Sequence, residues 1–225
     1  MVVTGVQSDL GESIWIDQSG APTQLYWAGG VDITVNGYNR VVFCVDLLTH
    51  ISLDTYDTTL DYSDTPYIRD SSDYSDVDSL LRVGYLLKYE WPKSALQGAA
   101  LQLAIWDIVT DKGDGFGKPD TSAGIVSQST DTSHPTDPGV LSAAIAYEAE
   151  AESLVNPGNF GIVYHNYQGT GPNRERFQTL MGPNPTDLGP EPLPEPSALL
   201  LIIFQGIALT GVGSLCALRR RARTN

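Results

Sequence analysis

The chain has 225 residues, 41% of them hydrophobic, and a formal net charge of −14 carried largely by aspartate. Phosphate contacts need Lys and Arg, so this balance excludes nucleic-acid binding as a function. The length suffices for one domain with a sizeable core and some extra segments.

Residues 1 to about 53 alternate apolar and polar positions between turn signals. "SIWID", "QLYWAG", "VDITVNG" and "RVVFCVDL" are expected as strands, with a hairpin turn at Asn36–Asn39. Residues 54–78 are rich in Asp, Ser, Thr and Tyr and read as a solvated acidic loop, with calcium binding through carboxylates as the alternative. Val77, Leu80, Leu81, Gly84, Tyr85 and Leu87 recur at helical spacing, with Asp76 or Asp78 to cap the helix and Pro92 to end it. A second helix is expected from the N-cap Ser94 to about Val109. It is apolar nearly all round, which predicts a central, buried position.

The run "DKGDGFGKPD", Asp111–Asp120, breaks that helix. It shares half of a calcium loop but lacks the EF-hand spacing and terminal glutamate, so it reads as a Gly-rich turn. A third helix is expected over about 139–155, with Glu148, Glu150 and Glu152 on a solvated face. "FGIVYHNYQ" and "RERFQTLMG" follow as strands. Strands, then helices, then strands predict an α+β fold: a mostly antiparallel β-domain over residues 1–181 with a small helical subdomain. A Pro-rich linker occupies 182–196.

Residues 197–218 carry no charge and end against "RRRAR". As a helix they would extend about 33 Å, the thickness of a bilayer's hydrocarbon core. The cluster Arg219, Arg220, Arg221 and Arg223 would hold the tail, 219–225, on the cytoplasmic side and leave the domain facing outward. Just before the span, Pro194, Glu195 and Pro196 enforce an extended backbone. This order of Pro-Glu-Pro, apolar span and arginine-rich end resembles the PEP-CTERM sorting signal. The resemblance covers about the last thirty residues. It implies an inner-membrane precursor recognised by an exosortase, in a Gram-negative bacterium, and then delivered to the cell surface or secreted. Such a precursor needs an N-terminal secretion signal. "MVVTGVQSDLGESIW" has neither a basic start nor an apolar core, so the true start is expected upstream of Met1.

One polar residue interrupts the central helix. Gln102, in "LQLAIWDI", has Gly98, Ala99, Ile105 and Trp106 on its own face. The two small residues leave room for another chain, and Trp106 offers an apolar wall. There are two cysteines, and Cys216 lies in the apolar tail, so Cys44 is expected to be a lone thiol in a buried strand, preceded by the bulky Phe43. If the Cys44 sulfur met the Gln102 carboxamide, loss of ammonia would give an internal thioester. Such a bond needs enforced proximity and an apolar shelter, for which Phe43 and Trp106 are the candidates. It also needs a base, for which His50 and Asp46 are candidates. The residues alone leave open an inert core cysteine and a glutamine bonded to backbone.

Phe43-Cys44 together with Leu101-Gln102-Leu103-Ala104-Ile105-Trp106 resembles the paired blocks of the thioester domains on bacterial surface adhesins. The resemblance spans roughly residues 30–155. It implies a Cys44–Gln102 crosslink and covalent attachment to an amine or hydroxyl of a surface protein or polysaccharide. Attachment of that kind happens once per molecule, so no enzyme, cofactor or metal is expected. The adhesins are usually Gram-positive, and the 58-residue separation is compact for them. The alternative is a non-covalent matrix-binding module with Cys44 reduced. A cysteine hydrolase would need Cys44 with His50, His134 or His165, and no catalytic-block spacing supports it.

Overall fold

The computed structural model describes residues 1–18, 23–47, 49–64, 77–116, 126–129, 131–169 and 175–185. Its elements are β1 (Val2–Gln18), β2 (Gln24–Val35), β3 (Tyr38–Cys44), β4 (Asp57–Tyr62), α1 (Val77–Tyr89), α2 (Ala95–Asp111), β5 (Val126–Gln128), α3 (Pro138–Ser153), β6 (Gly161–Gln168) and β7 (Glu175–Pro183). The strands form one sheet in the order β4-β6-β7-β3-β2-β1-β5, and every neighbouring pair is antiparallel.

β3 joins the two halves of this sheet. Tyr38 to Val42 pair with β2, whereas only Phe43 and Cys44 pair with β7. The β2–β3 hairpin turns at Asn36 and Gly37, both at positive φ (51° and 83°), as the sequence "NG" demands. The expected break between "QLYWAG" and "VDITVNG" is absent, because β2 runs straight through Gly29 and Gly30. Those glycines serve an irregularity in β1 instead, between Val6 and Gly11. A Cβ on Gly29 would fall 2.3 Å from the Gly11 Cα, so the two strands cross there only as glycine on glycine.

The helices follow their local signals. Ser94 caps α2, its side chain accepting from the Gln97 N–H at 3.3 Å, and Lys112 closes it in the left-handed conformation at φ 66°. Asp137 caps α3 through the Gly139 N–H at 2.6 Å, with Pro138 in the first turn.

Two apolar clusters result, one against each face of β3. Cys44 and Val42 share the first with Ile14, Ile33, Leu103 and Trp106. Phe43 and Val45 share the second with α1 and with Leu101 and Ile105 of α2. The fold is thus α+β and mostly antiparallel. The three helices pack onto this sheet, α2 contributing to both clusters, and residues Met1–Asp187 form one compact unit.

Two corrections follow. Part of the expected acidic loop, Asp57–Tyr62, is β4. It pairs with β6 at the sheet edge, where polar residues are tolerated because one side faces water. β7 runs to Pro183. Glu148 is not on a solvated face but is 5% exposed, whereas Glu150 and Glu152 are exposed as expected. The Pro-Glu-Pro motif, the apolar span 197–218 and the arginine cluster lie outside the described residues. Among the described residues no helix is long and apolar enough to cross a membrane.

Candidate functional site

Alternation along β3 sends successive residues to opposite faces, and successive peptide groups to opposite edges. The Val45 N–H donates to the Thr179 carbonyl of β7 at 3.0 Å. The Cys44 N–H and C=O point the other way, toward the side where Val42 still pairs with Val31 of β2. At Cys44 that side is taken by Gln102. Its Oε1 accepts from the Cys44 N–H at 2.9 Å, and its Nε2 donates to the Cys44 carbonyl at 2.6 Å. Gln102 is fully buried.

The small residues before Gln102 do what their size suggests, although the chain they admit is β1. A Cβ on Gly98 would meet the Leu10 carbonyl oxygen at 2.0 Å. With β1 against Gly98 and β3 against Gln102, α2 is held close to the backbone of two strands.

Cys44 and Trp106 line a cleft of about 670 Å³, together with Tyr26, Trp27, His50 and Gln178. Tyr26 and Trp106 meet edge to face, with ring centroids 6.0 Å apart. The indole N–H groups of Trp27 and Trp106 are buried with no hydrogen-bond partner. Trp106 thus walls the cleft beside Cys44. Phe43 does not: it points to the opposite face of β3 and packs on Trp91, centroids 5.8 Å apart.

No family model, curated protein or solved structure matches the chain. The chemistry of the site must therefore be read from its own geometry.

Burial, and secondarily the Asp46 carboxylate, push the Cys44 thiol up to about 12. At neutral pH the sulfur is a thiol, and nucleophilic attack needs a base. Asp46 is a poor candidate, because it is buried and engaged by Arg176 Nη2 at 3.1 Å and by the Thr49 hydroxyl at 2.9 Å. His50 is exposed and lines the same cleft as Cys44. The other histidines lie elsewhere. His134 stacks on Trp15 and contacts Asp131, and His165 contacts Asp61.

The Gln102 contacts suit acyl chemistry. The Cys44 N–H polarises the side-chain carbonyl and would stabilise an oxyanion on Oε1. The sequence alone did not single out Trp27, Tyr26 or Gln178 as site residues. Gln178 had a faint signal, an inward position in an alternating strand, and its Nε2 fixes the Asp46 carbonyl at 2.6 Å. The two aromatic residues had only their place in a strand, which core packing explains equally well.

Proposed function

We propose that this chain is an exported surface or matrix protein that attaches itself covalently through a Cys44–Gln102 thioester. The observation that carries the reading is the bidentate contact of the Gln102 carboxamide with the Cys44 backbone, at full burial and beside the cleft that Cys44 lines. Two hydrogen bonds hold the carboxamide against the backbone of the residue that bears the sulfur, which supports the proximity such a reaction needs.

The step balances without an added reagent. The Cys44 sulfur bonds to the Gln102 carboxamide carbon, the C–N bond breaks, and the thiol proton leaves with the nitrogen as ammonia. His50, which lines the same cleft, is the candidate to relay that proton. An amine or hydroxyl entering the cleft then attacks the same carbon, the C–S bond breaks, and the thiol is restored with the nucleophile's proton. The product is an amide or an ester to the target. The cleft is lined mainly by apolar side chains, which limits the water that can compete.

The tail supports export rather than this chemistry. Pro194-Glu195-Pro196, the span 197–218 and Arg219, Arg220, Arg221 and Arg223 are read as a sorting signal for an exosortase in the inner membrane. The mature chain would then reside at the cell surface or be released.

A second reading has its own observation. The carboxamide's donor and acceptor are both satisfied by backbone, so Gln102 is also sufficient as a purely structural residue. The cleft, with two unpartnered indole N–H groups, would then bind a matrix ligand non-covalently. Intact mass separates the two. The thioester form of the full chain is lighter than its sequence by one ammonia, and methylamine adds to it stoichiometrically. Cys44→Ala abolishes both effects. A chain at its full sequence mass that ignores methylamine leaves only the non-covalent module.

A further inference from the structure

The C-terminus of a helix carries partial negative charge and is stabilised by cations. α2 ends the opposite way. Its last turn holds no basic residue, and Asp107 and Asp111 lie there, with Asp114 just beyond. Asp107, Asp111 and Asp114 each bring a carboxylate oxygen to within 4.8 Å of the others. A fourth carboxyl group arrives from α3, as Glu148 comes within hydrogen-bonding reach of Asp107.

Two of these four are buried, whereas Asp111 is half-buried and Asp114 exposed. Asp107 is 0% exposed and Glu148 5%. Asp107 Oδ2 accepts from the Gly115 N–H at 3.2 Å, but its Oδ1 is buried without a donor, and so is Glu148 Oε1. Asp111 Oδ2 accepts from the Val126 N–H at 2.8 Å, which ties β5 to the same point. Burial penalises the charged form of both, and each carboxyl group acts on the other; among the described residues no donor reaches Asp107 Oδ1 or Glu148 Oε1. Two buried carboxyl groups that face each other with no donor between them need either a shared proton or a cation.

The geometry points to a hard divalent cation, Ca²⁺, bound by Asp107, Asp111, Asp114 and Glu148. The donors are all oxygens. Ca–O distances of about 2.3–2.6 Å allow ligands on opposite sides of the ion to stand roughly 4.6–5.2 Å apart, which accommodates the 4.8 Å spread of the three aspartate oxygens, with Glu148 reaching the ion from beside Asp107. Mg²⁺, at about 2.0–2.1 Å, would have to draw the ligands inward. The stretch that the sequence shows as half of a calcium loop is thus completed from another helix, by a residue 34 positions beyond Asp114. The ion would join α2, the loop after it and α3, and it would do so whether or not Gln102 forms a thioester.

The test uses the full chain, stripped with EDTA and then titrated with CaCl₂ in a calorimeter and in thermal unfolding. One saturable Ca²⁺ per chain is expected, with the melting temperature rising by several degrees. Asp114 is exposed, so Asp114→Asn should fold normally and bind Ca²⁺ at least tenfold more weakly. Glu148→Gln should do the same. Absence of saturable binding overturns the site, as does binding that neither substitution weakens. So does a wild-type chain indifferent to Ca²⁺ in which Glu148→Gln raises the melting temperature, since that is the behaviour of a shared proton.

Discussion

The Gln102 carboxamide stands beside Cys44 where a neighbouring strand would stand. Val42, two residues earlier on the same edge of β3, pairs with Val31 of β2. Cys44 finds the Gln102 amide instead, which offers an acceptor at 2.9 Å and a donor at 2.6 Å in the pattern a peptide group would present. A helix side chain thereby satisfies the ladder where its pairing with β2 ends.

Replacing that amide should be costly for stability whatever its reactivity. Gln102→Leu keeps the approximate volume but leaves the Cys44 N–H and C=O buried without partners. Each such group costs about 1–3 kcal/mol, so a loss of roughly 2–6 kcal/mol is expected in urea unfolding. Gln102→Glu keeps an acceptor for the N–H but turns an oxygen toward the Cys44 carbonyl, and should also destabilise. A Gln102→Leu chain as stable as the wild type would mean that these contacts contribute nothing.

Gly98 gives a prediction whose sign is diagnostic. Glycine inside an exposed helix usually costs about 0.5–1 kcal/mol relative to alanine, so Gly98→Ala would normally stabilise. Here the added Cβ would lie 2.0 Å from the Leu10 carbonyl oxygen and 2.3 Å from its carbon. Both are backbone atoms and cannot swing aside, so α2 and β1 must separate. A loss of about 1–3 kcal/mol is expected. The displacement should also move Gln102 from Cys44, so thioester formation measured by mass should fall together with stability.

Much of this was legible in the sequence, and the rest was hidden for identifiable reasons. Ser94 and the "NG" turn announce α2 and the first hairpin because caps and turns are local chemistry. The oddity of Gln102 in an apolar helix points to its contact with Cys44, since a buried amide must find partners. Phe43 was misplaced because adjacency to Cys44 suggests a shared environment, whereas strand alternation puts the two on opposite faces. Glu148 looked like one of three solvated glutamates, and only the packing of α3 against α2 shows that it alone points inward. β4 was hidden because an edge strand keeps polar residues that read as loop.

A pH dependence of stability follows from His165. Burial lowers its affinity for protons, the Asp61 carboxylate works against that, and the Arg176 charge adds to it. The folded pKa lies below the unfolded value of about 6.5, so the unfolded chain binds the proton more readily. This contribution to stability is present above pH 6.5 and is lost progressively as pH falls toward the folded pKa. His165→Asn should therefore lose less stability than the wild type between pH 7.5 and 5.5, as read from urea midpoints. Asp61→Asn removes the opposing carboxylate and should make the wild-type loss steeper. A His165→Asn chain with the wild-type pH profile would contradict the assignment.

The state of Cys44 itself can be read by alkylation, best in a Cys216→Ser background so that only one sulfur responds. With the thiol raised from 9.0 to about 12, a reduced Cys44 in the native chain holds about a thousandfold less thiolate than an ordinary cysteine, and its alkylation by iodoacetamide should slow in proportion. A thioester would not react at all, so native labelling alone does not separate the two states. Unfolding does. A reduced cysteine labels at once when the chain is unfolded in guanidinium at mildly acidic pH, where a thioester survives briefly. A thioester shows no free thiol until hydroxylamine is added, and then releases one per chain. Immediate labelling on unfolding, with no further gain from hydroxylamine, would leave Cys44 an ordinary buried thiol and Gln102 a structural amide.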